Sequence, residues 1–257
     1  MNKAHFQDNC SRNCKTVYQK TGLKTNVSAN TKPVYSIFKK ASVFSKLTFD
    51  IPKLDEKLHF LTLNNKLCIR GIHTQKLIER ICVRAQLSSR YGGLNSKVLL
   101  IDGANSSDLY LCVDFARQYG LDVKKIFDGV ITSRAFTVYQ LADTIVHELL
   151  DAIEKYNVKI IIITNLLHFF TNDLYLDTNE MKGILKKIIK VLKKIENCLV
   201  VVSLGFETQY DILFSKLFDR TIDIQKGYGA LSIHLTDNGK KTSLLLKPDE
   251  LEKAMSY

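Results

Sequence analysis

The sequence has little of what membrane-spanning or exported proteins carry. Its longest apolar runs, such as KIIIITNLLHFF at 159–170, are too short and too interrupted to cross a bilayer. The first fifteen residues show no apolar stretch after their positive charges, so we expect no signal peptide. Hydrophobic residues make up 46% of the 257 residues, which is enough to build the core of one full α/β domain.

The sequence also lacks the cysteine spacing of a zinc site. Cys10 and Cys14 form one C-x-x-x-C pair without a second pair, whereas a tetrahedral zinc site normally needs four ligands. We therefore expect reduced thiols in a cytoplasmic protein and no bound metal. The other cysteines lie in apolar segments and are predicted to be small core residues: Cys68, Cys82, Cys112 and Cys198.

Acidic residues are nearly missing from residues 1–47. This segment has nine Lys or Arg and one acid, Asp8, so it carries +8 of the net charge of +11. Such a basic, weakly periodic segment is typical of an arm that binds nucleic acid, although a solvated tail without a partner has the same composition. The candidate DNA-binding residues of this arm are Arg12, Lys15, Lys20, Lys24, Lys39 and Lys40.

From about residue 60 the apolar pattern alternates between strand and helix periods. Strands are predicted at 65–71, 98–102, 127–134, 158–164 and 198–205, and helices at 74–90, 107–120, 137–156 and 179–197. Ser106 or Ser107 is predicted to cap the second helix, and Gly120 to end it. Residues 219–248 read as three short strands with tight turns. The predicted fold is α/β, a doubly wound, mostly parallel sheet with an antiparallel C-terminal extension.

Three segments follow from these patterns. Residues 1–47 form the basic arm and linker, 48–250 the core domain, and 251–257 a C-terminal tail. The helix predicted at 179–197 carries six lysines outside its apolar stripe. These lysines could contact phosphates, but a solvated helix face is the favoured interpretation.

Several segments together resemble a known family. The carrying features are GGLNSKVLLID at 92–102, GLD at 120–122, RAF at 134–136 with Gln140 nearby, and VKIIIITNLLHFF at 158–170. With RTIDIQKGYGALSIHLTD at 220–237, they resemble the catalytic core of the RecA/RadA recombinases, in the archaeal and eukaryotic branch, over residues 60–247. The resemblance implies a RecA-like P-loop-NTPase-type core, an archaeal source, and ATP bound between subunits of a filament on DNA.

At the family's phosphate loop, the sequence has the lysine of the motif but not its glycines or its hydroxyl residue. The G-x-x-x-x-G-K-[ST] motif needs glycines so that backbone amides can wrap the phosphates, and a hydroxyl for Mg²⁺. Aligned on Lys76, Arg70 and Gln75 replace the two glycines and Leu77 replaces the hydroxyl residue, while Gly71 is offset by one position.

The other catalytic positions have changed as well. The metal-supporting aspartate falls at Thr164, the catalytic acid at Ala104, and the switch residue near Leu204–Gly205, although Asp102 lies two residues before Ala104. The resemblance therefore predicts a vestigial nucleotide site made of Gly71, Gln75, Lys76, Leu77, Asp102, Ala104 and Thr164. No cofactor is expected; ATP binding stays possible, but Mg²⁺-dependent hydrolysis is not expected.

The family's two DNA-facing loops would lie at 168–181 and 204–218. The first lacks the family's Arg-Gly pattern and carries three acids, and the second is short and apolar. Phe170, Tyr175 and Phe206 could stack on bases, but we predict that they pack beneath the loops.

A partner-docking element of the family also has a counterpart. RadA-type proteins place Phe-x-x-Ala in the linker before the core, where it inserts into the neighbouring subunit. Phe38 and Ala41 match this element in YSIFKKASVF at 35–44. The helix-hairpin-helix domain that precedes this linker in RadA does not fit the residues before it.

The resulting hypothesis is a non-catalytic RecA/RadA-like paralogue, cytoplasmic and associated with the nucleoid. It would modulate recombination and repair by binding a RadA-type recombinase through Phe38 and Ala41, and single-stranded DNA through its arm. One alternative is a divergent DNA-dependent ATPase that binds ATP through Lys76 and uses Asp102 as its acid. Another is a RecA-like scaffold or signalling module without a DNA role.

Overall fold

The described residues form alternating strands and helices. The computed structural model describes residues 46–172, 177–206, 208–214 and 216–253. The strands in chain order are β1 Lys46–Leu47, β2 Leu61–Thr62, β3 Lys66–Gly71, β4 Val98–Asp102, β5 Val130–Arg134, β6 Ile160–Thr164, β7 Leu199–Gly205, β8 Arg220–Lys226, β9 Leu231–Asp237 and β10 Lys240–Leu246. The helices are α1 Pro52–Leu58, α2 Thr74–Arg84, α3 Leu109–Gln118, α4 Val123–Asp128, α5 Val138–Asp143, α6 Leu149–Tyr156, α7 His168–Asn172, α8 Thr178–Lys194 and α9 Asp211–Phe214.

An eight-stranded sheet organises this part of the chain. Its strand order is β10-β9-β8-β3-β7-β6-β4-β5, and the pairs from β8 to β5 are parallel. Strands β8, β9 and β10 form the antiparallel extension, while β1 and β2 make a separate two-stranded sheet. The predicted α/β fold with a mostly parallel sheet and an antiparallel C-terminal extension is therefore confirmed.

Strand β6 shows why the sheet is covered on both faces. Ile160 and Ile162 pack into a core with α2 and α3, whereas Ile161 and Ile163 pack into a second core with α5, α6 and α8. Because successive side chains point to opposite faces, an unbroken run of isoleucines suits a strand at the centre of a parallel sheet. The predicted core cysteines are confirmed, since each is at most 3% exposed: Cys68, Cys82, Cys112 and Cys198.

Helix α8 follows its apolar pattern closely. Asp177 caps its first turn by accepting hydrogen bonds from the amides of Asn179 and Glu180. One stripe of the helix is buried in the second core: Met181, Leu185, Ile188, Ile189 and Leu192. The long helix predicted at 137–156 is also found, but a π-helical segment, Thr144–Glu148, separates α5 from α6.

Two sequence predictions at helix ends were wrong. Asp108, rather than Ser106 or Ser107, caps α3, because its carboxylate accepts the amide of Tyr110 while both serine amides donate to Asp102. Helix α2 ends at Arg84 instead of near residue 90. The chain reverses direction after the helix, and the amide of Leu94 donates to the carbonyl oxygen of Ala85, the residue that follows Arg84.

Two buried arginines of α2 hold distant segments against the core. Arg80 donates to the carbonyls of Asp50 at 3.0 Å and Leu251 at 3.2 Å, and its guanidinium lies over the ring of Phe115. Arg84 donates to the carbonyl of Thr48 at 2.6 Å. Within the described residues, no helix combines the length and apolarity needed to cross a bilayer.

Candidate nucleotide site at the carboxyl ends of the strands

The carboxyl ends of β3, β4, β6 and β7 meet at one edge of the sheet and bound a cleft of about 480 Å³. In open α/β sheets, ligands bind outside this edge. The cleft is large enough for a small molecule. Its lining residues are Gly71, Thr74, Ala104, Ser106, Asn165, Leu167, His168, Thr171, Leu204, Gly205, Phe206 and Thr208.

Formal charge is missing from this lining. Among the described residues that bound the cleft, there is no Lys, Arg, Asp or Glu. A nucleotide triphosphate with its metal ion needs cationic groups or rows of free amides for the phosphates, and carboxylate or hydroxyl oxygens for the metal. The cleft therefore has the position of a nucleotide site without its charge.

The connection between β3 and α2 is too short to wrap a phosphate. Only Ile72 and His73 separate Gly71 from the first residue of α2. Gly71 has φ of +89°, and a Cβ built there would lie 2.0 Å from the carbonyl oxygen of Ile224. The amide of Ile72 donates to the same carbonyl oxygen at 3.0 Å. The packing of β3 against β8 thus explains this glycine.

The side chains predicted to lie around the phosphates all bind the protein itself. The ammonium of Lys76 pairs with the carboxylate of Glu252, near the C-terminal end of the described chain. The amide of Gln75 donates to Glu79, and Leu77 is 1% exposed in the core beneath the helix. Thr74, not Lys76, contributes to the cleft.

Arg70 occupies the end of β3 with a guanidinium group. Its Nη1 lies 3.1 Å from the carboxylate of Asp211, and its Nε lies 4.0 Å from Asp223 on β8. Asp211 is itself held by the hydroxyl of Thr208, which donates to it at 2.7 Å. The sequence did not identify Asp211 as the partner of Arg70. The one signal was the arginine itself, because a guanidinium in place of a loop glycine needs an acid nearby.

Asp102 is enclosed by hydrogen-bond donors. The amides of Ser106 and Ser107 donate to its two oxygens at 3.1 and 2.9 Å, and the hydroxyl of Thr164 donates at 3.0 Å. Register explains the last contact, because Asp102 and Thr164 are partners in the parallel pair β4–β6. Burial raises the pKa of this carboxyl, but the amide hydrogen bonds from Ser107 and Ser106 outweigh it, so the pKa lies below 3.8.

This geometry decides what Asp102 and its neighbours can do. A carboxylate that is 0% exposed and already accepts four protein donors is poorly placed to take a proton from water. Ala104 donates its backbone amide to the same carboxylate at 3.3 Å and has no acidic side chain.

A buried acid that the sequence did not reveal lies behind the cleft. Glu79 on α2 is 0% exposed and accepts hydrogen bonds from Gln75 and from the thiol of Cys112 at 2.7 Å. The pKa of Glu79 is raised from 4.5 to about 7, mainly by burial and less by the charges of Asp108 and Asp102, against the hydrogen bonds from Cys112 and Gln75 that lower it. The apolar period of α2 gave no sign that an acid sits within its buried face.

The predicted DNA-facing segments are partly described. Phe170 is 1% exposed and lies in the second core, which confirms the prediction that it is buried. The same prediction was wrong for Phe206, which is 72% exposed at the rim of the cleft. It follows Gly205 at the end of β7, where φ of +78° turns the chain away from the sheet.

Several predicted residues lie outside the described part of the chain. They are Phe38, Ala41, Tyr175, the cysteine pair Cys10 and Cys14, and the arm residues Arg12, Lys15, Lys20, Lys24, Lys39 and Lys40.

The fold and the position of the cleft define a RecA-like α/β core. A comparison with protein families matches the family described as Rad51 over residues 69–207, which is more than half of the chain. The chain therefore belongs to the Rad51 family of RecA-like recombinases, and this membership indicates a recombinase-like role in recombination and repair. No curated protein sequence matches the chain.

Proposed function

We propose that this chain is a non-catalytic member of the Rad51 family that modulates homologous recombination by binding an active recombinase and single-stranded DNA. The observation that supports the loss of catalysis is the internal pairing of charge around the cleft. Lys76 pairs with Glu252, Arg70 with Asp211, and Asp102 with backbone amides and Thr164. Each group that would hold phosphate, metal or water already has a partner in the chain.

The alternative of a divergent ATPase needs Lys76 and Asp102 to be available for nucleotide. Lys76 would have to leave Glu252, and Asp102 would have to exchange protein donors for a water molecule. Losing one catalytic group commonly costs several orders of magnitude in rate, so a site without its metal ligand and acid retains little chemistry. The geometry thus favours a pseudo-ATPase, and we propose that it acts in the cytoplasm in association with the nucleoid.

Docking on the recombinase is assigned to Phe38 and Ala41. A buried aromatic anchor next to a small residue that permits close backbone approach suits a short linear docking element. In a pull-down with the cognate recombinase, Phe38→Ala should remove most of the captured protein. Phe6→Ala, a matched change in the same basic segment, should leave it unchanged. Equal capture by both variants would rule out this element as the anchor.

DNA binding by the arm is tested in the full chain by replacing its six candidate residues with glutamine. If each contacts one phosphate of a single strand, the slope of log affinity against log salt should fall by about 4. Unchanged affinity and slope would show that the arm is a solvated tail. A wild-type chain that binds no DNA at low salt would instead favour the scaffold alternative.

A further inference from the structure

Helix α8 presents one face that consists almost entirely of lysines. At 100° per residue, the six lysines fall within an arc of about 140°. All six are exposed, and they define what is called here the lysine face: Lys182, Lys186, Lys187, Lys190, Lys193 and Lys194. The opposite stripe of the helix is buried in the second core, so the face is held rigidly toward solvent.

The six ammonium groups have no partner in the described part of the chain. The ion pairs found there involve other side chains. The one acid at the edge of the face, Glu180, accepts a hydrogen bond from the hydroxyl of Tyr139 at 2.8 Å. Exposed helices usually intersperse acids at i, i+4 from their lysines, and α8 does not.

This arrangement is unfavourable for the isolated chain. Lys182, Lys186, Lys190 and Lys194 succeed one another at i, i+4, where like charges repel and destabilise the helix. Favourable interaction with the helix dipole accounts for Lys193 and Lys194 in the last turn, but not for the lysines nearer the N-terminus.

A glycine at the N-terminal end of the face is a second, independent observation. Gly183 lies inside α8, and a Cβ built on it would meet no heavy atom within 4 Å. Glycine in a helix interior is less favourable than alanine, and no heavy atom of the described chain lies close enough to require it. A bare helix surface flanked by Lys182 and Lys186 permits close approach of a ligand that carries negative charge.

We propose that the lysine face binds the phosphodiester backbone of DNA, as a second contact separate from the arm. The four lysines at i, i+4 form a row of roughly 18 Å with a spacing of about 6 Å, which suits a run of successive phosphates. Binding of a polyanion to this row of unpaired cations is favourable because counterions condensed on the polyanion are released. The inference rests on the proposed role in DNA binding and adds the surface that the strand follows.

The test compares two full-length variants with equal loss of charge. One carries K182Q, K186Q, K190Q and K194Q; the control carries K124Q, K125Q, K240Q and K241Q, which are exposed lysines elsewhere. Binding to labelled single-stranded and double-stranded oligonucleotides is followed by fluorescence anisotropy over a series of salt concentrations, with thermal unfolding as a check on folding. The lysine-face variant should bind single strands more than tenfold more weakly, with a salt slope reduced by about 3.

The control variant should lose little affinity, and both variants should unfold at or above the wild-type temperature. Equal binding by the lysine-face variant and the wild type would overturn the inference while leaving the proposed function intact. A wild-type chain that binds no DNA would contradict the proposed function itself. If polyglutamate competes with DNA for the face as well as unlabelled DNA does, the face recognises acidic protein and the inference is also overturned.

The substitution Gly183→Gln tests whether DNA approaches the helix surface closely, because it leaves the charge of the lysine face unchanged. The variant should be more stable, because glutamine is a better helix former than glycine, yet bind DNA several-fold more weakly because its side chain covers the helix surface between Lys182 and Lys186. Greater stability with unchanged DNA binding would contradict close approach of the backbone to the helix.

Discussion

Helices α2 and α8 both carry many charged side chains and use them in opposite ways. On α2, Glu79, Arg80 and Arg84 are each 0% exposed and bonded to other parts of the chain, and Lys76 pairs with Glu252. On α8, six lysines face solvent without a partner among the described residues. The difference teaches that the charged groups at the position of the family's nucleotide site are paired within the chain, whereas the charge available to an external anion lies on α8.

Replacing a buried arginine of α2 should give the largest effect. Arg80→Ala removes the donors to Asp50 and Leu251 and leaves their carbonyls unpaired, so the free energy of unfolding should fall by about 3–5 kcal/mol. Lys186→Ala on α8 should change it by less than about 0.5 kcal/mol. Urea denaturation compares the two, and similar losses would break the contrast between the helices.

The buried acid of α2 should make stability depend on pH. Because the pKa of Glu79 is raised from 4.5 to about 7, its contribution is fully present below pH 4.5 and is lost as pH rises through 7. The loss should reach about 3 kcal/mol, and Glu79→Gln should remove this dependence.

Urea unfolding at about pH 5 and about pH 8 measures the difference, with exposed Glu148→Gln as the control. A Glu79→Gln protein that loses as much stability as the wild type over this range would show that Glu79 does not titrate there.

The contribution of Asp102 to stability should depend on pH in the opposite sense. The pKa of Asp102 lies below 3.8, so its contribution is present above that pH and is lost as pH falls through the lower, folded-state value. Asp102→Asn should cost about 2 kcal/mol at neutral pH, because an amide cannot accept all the donors that surround the carboxylate. Chemical denaturation measures this loss, with the exposed Asp128→Asn as the control. If Asp102→Asn were as stable as Asp128→Asn, the hydrogen bonds of the surrounding amides would not depend on the charge of Asp102.

The smallest effect is expected at the residue that looks most functional in the sequence. Lys76→Ala removes a partly exposed ion pair with Glu252, which is worth at most about 1 kcal/mol. Thermal unfolding and DNA binding should both stay close to wild type. A marked loss of DNA binding would show that Lys76 acts beyond this pair.

The strands and most helices could be predicted from the sequence because their periodicity is strong. The isoleucines of β6 and the apolar stripe of α8 leave one favourable arrangement. Pairings over long sequence distances could not be predicted. Arg70 has no neighbouring acid in sequence, and Asp211 reaches it only because β3 lies beside β7 and β8.

Exposure of single residues near the cleft was also beyond the sequence. Gly71 lies one position away from a phosphate-loop glycine, but its requirement comes from the carbonyl of Ile224 on the neighbouring strand. Phe206 was expected to pack under a loop, and the left-handed conformation of Gly205 carries it out to the surface instead. The first depends on a strand that is distant in sequence and the second on the local backbone path, and composition and period encode neither.

Titration of the full-length chain with ATP, with and without Mg²⁺, tests the central claim most directly. Calorimetry should show no saturable binding at concentrations up to about 1 mM, where a functional site would be occupied. Saturable, Mg²⁺-dependent binding that disappears in Lys76→Ala would contradict the account, because Lys76 would then serve nucleotide rather than Glu252.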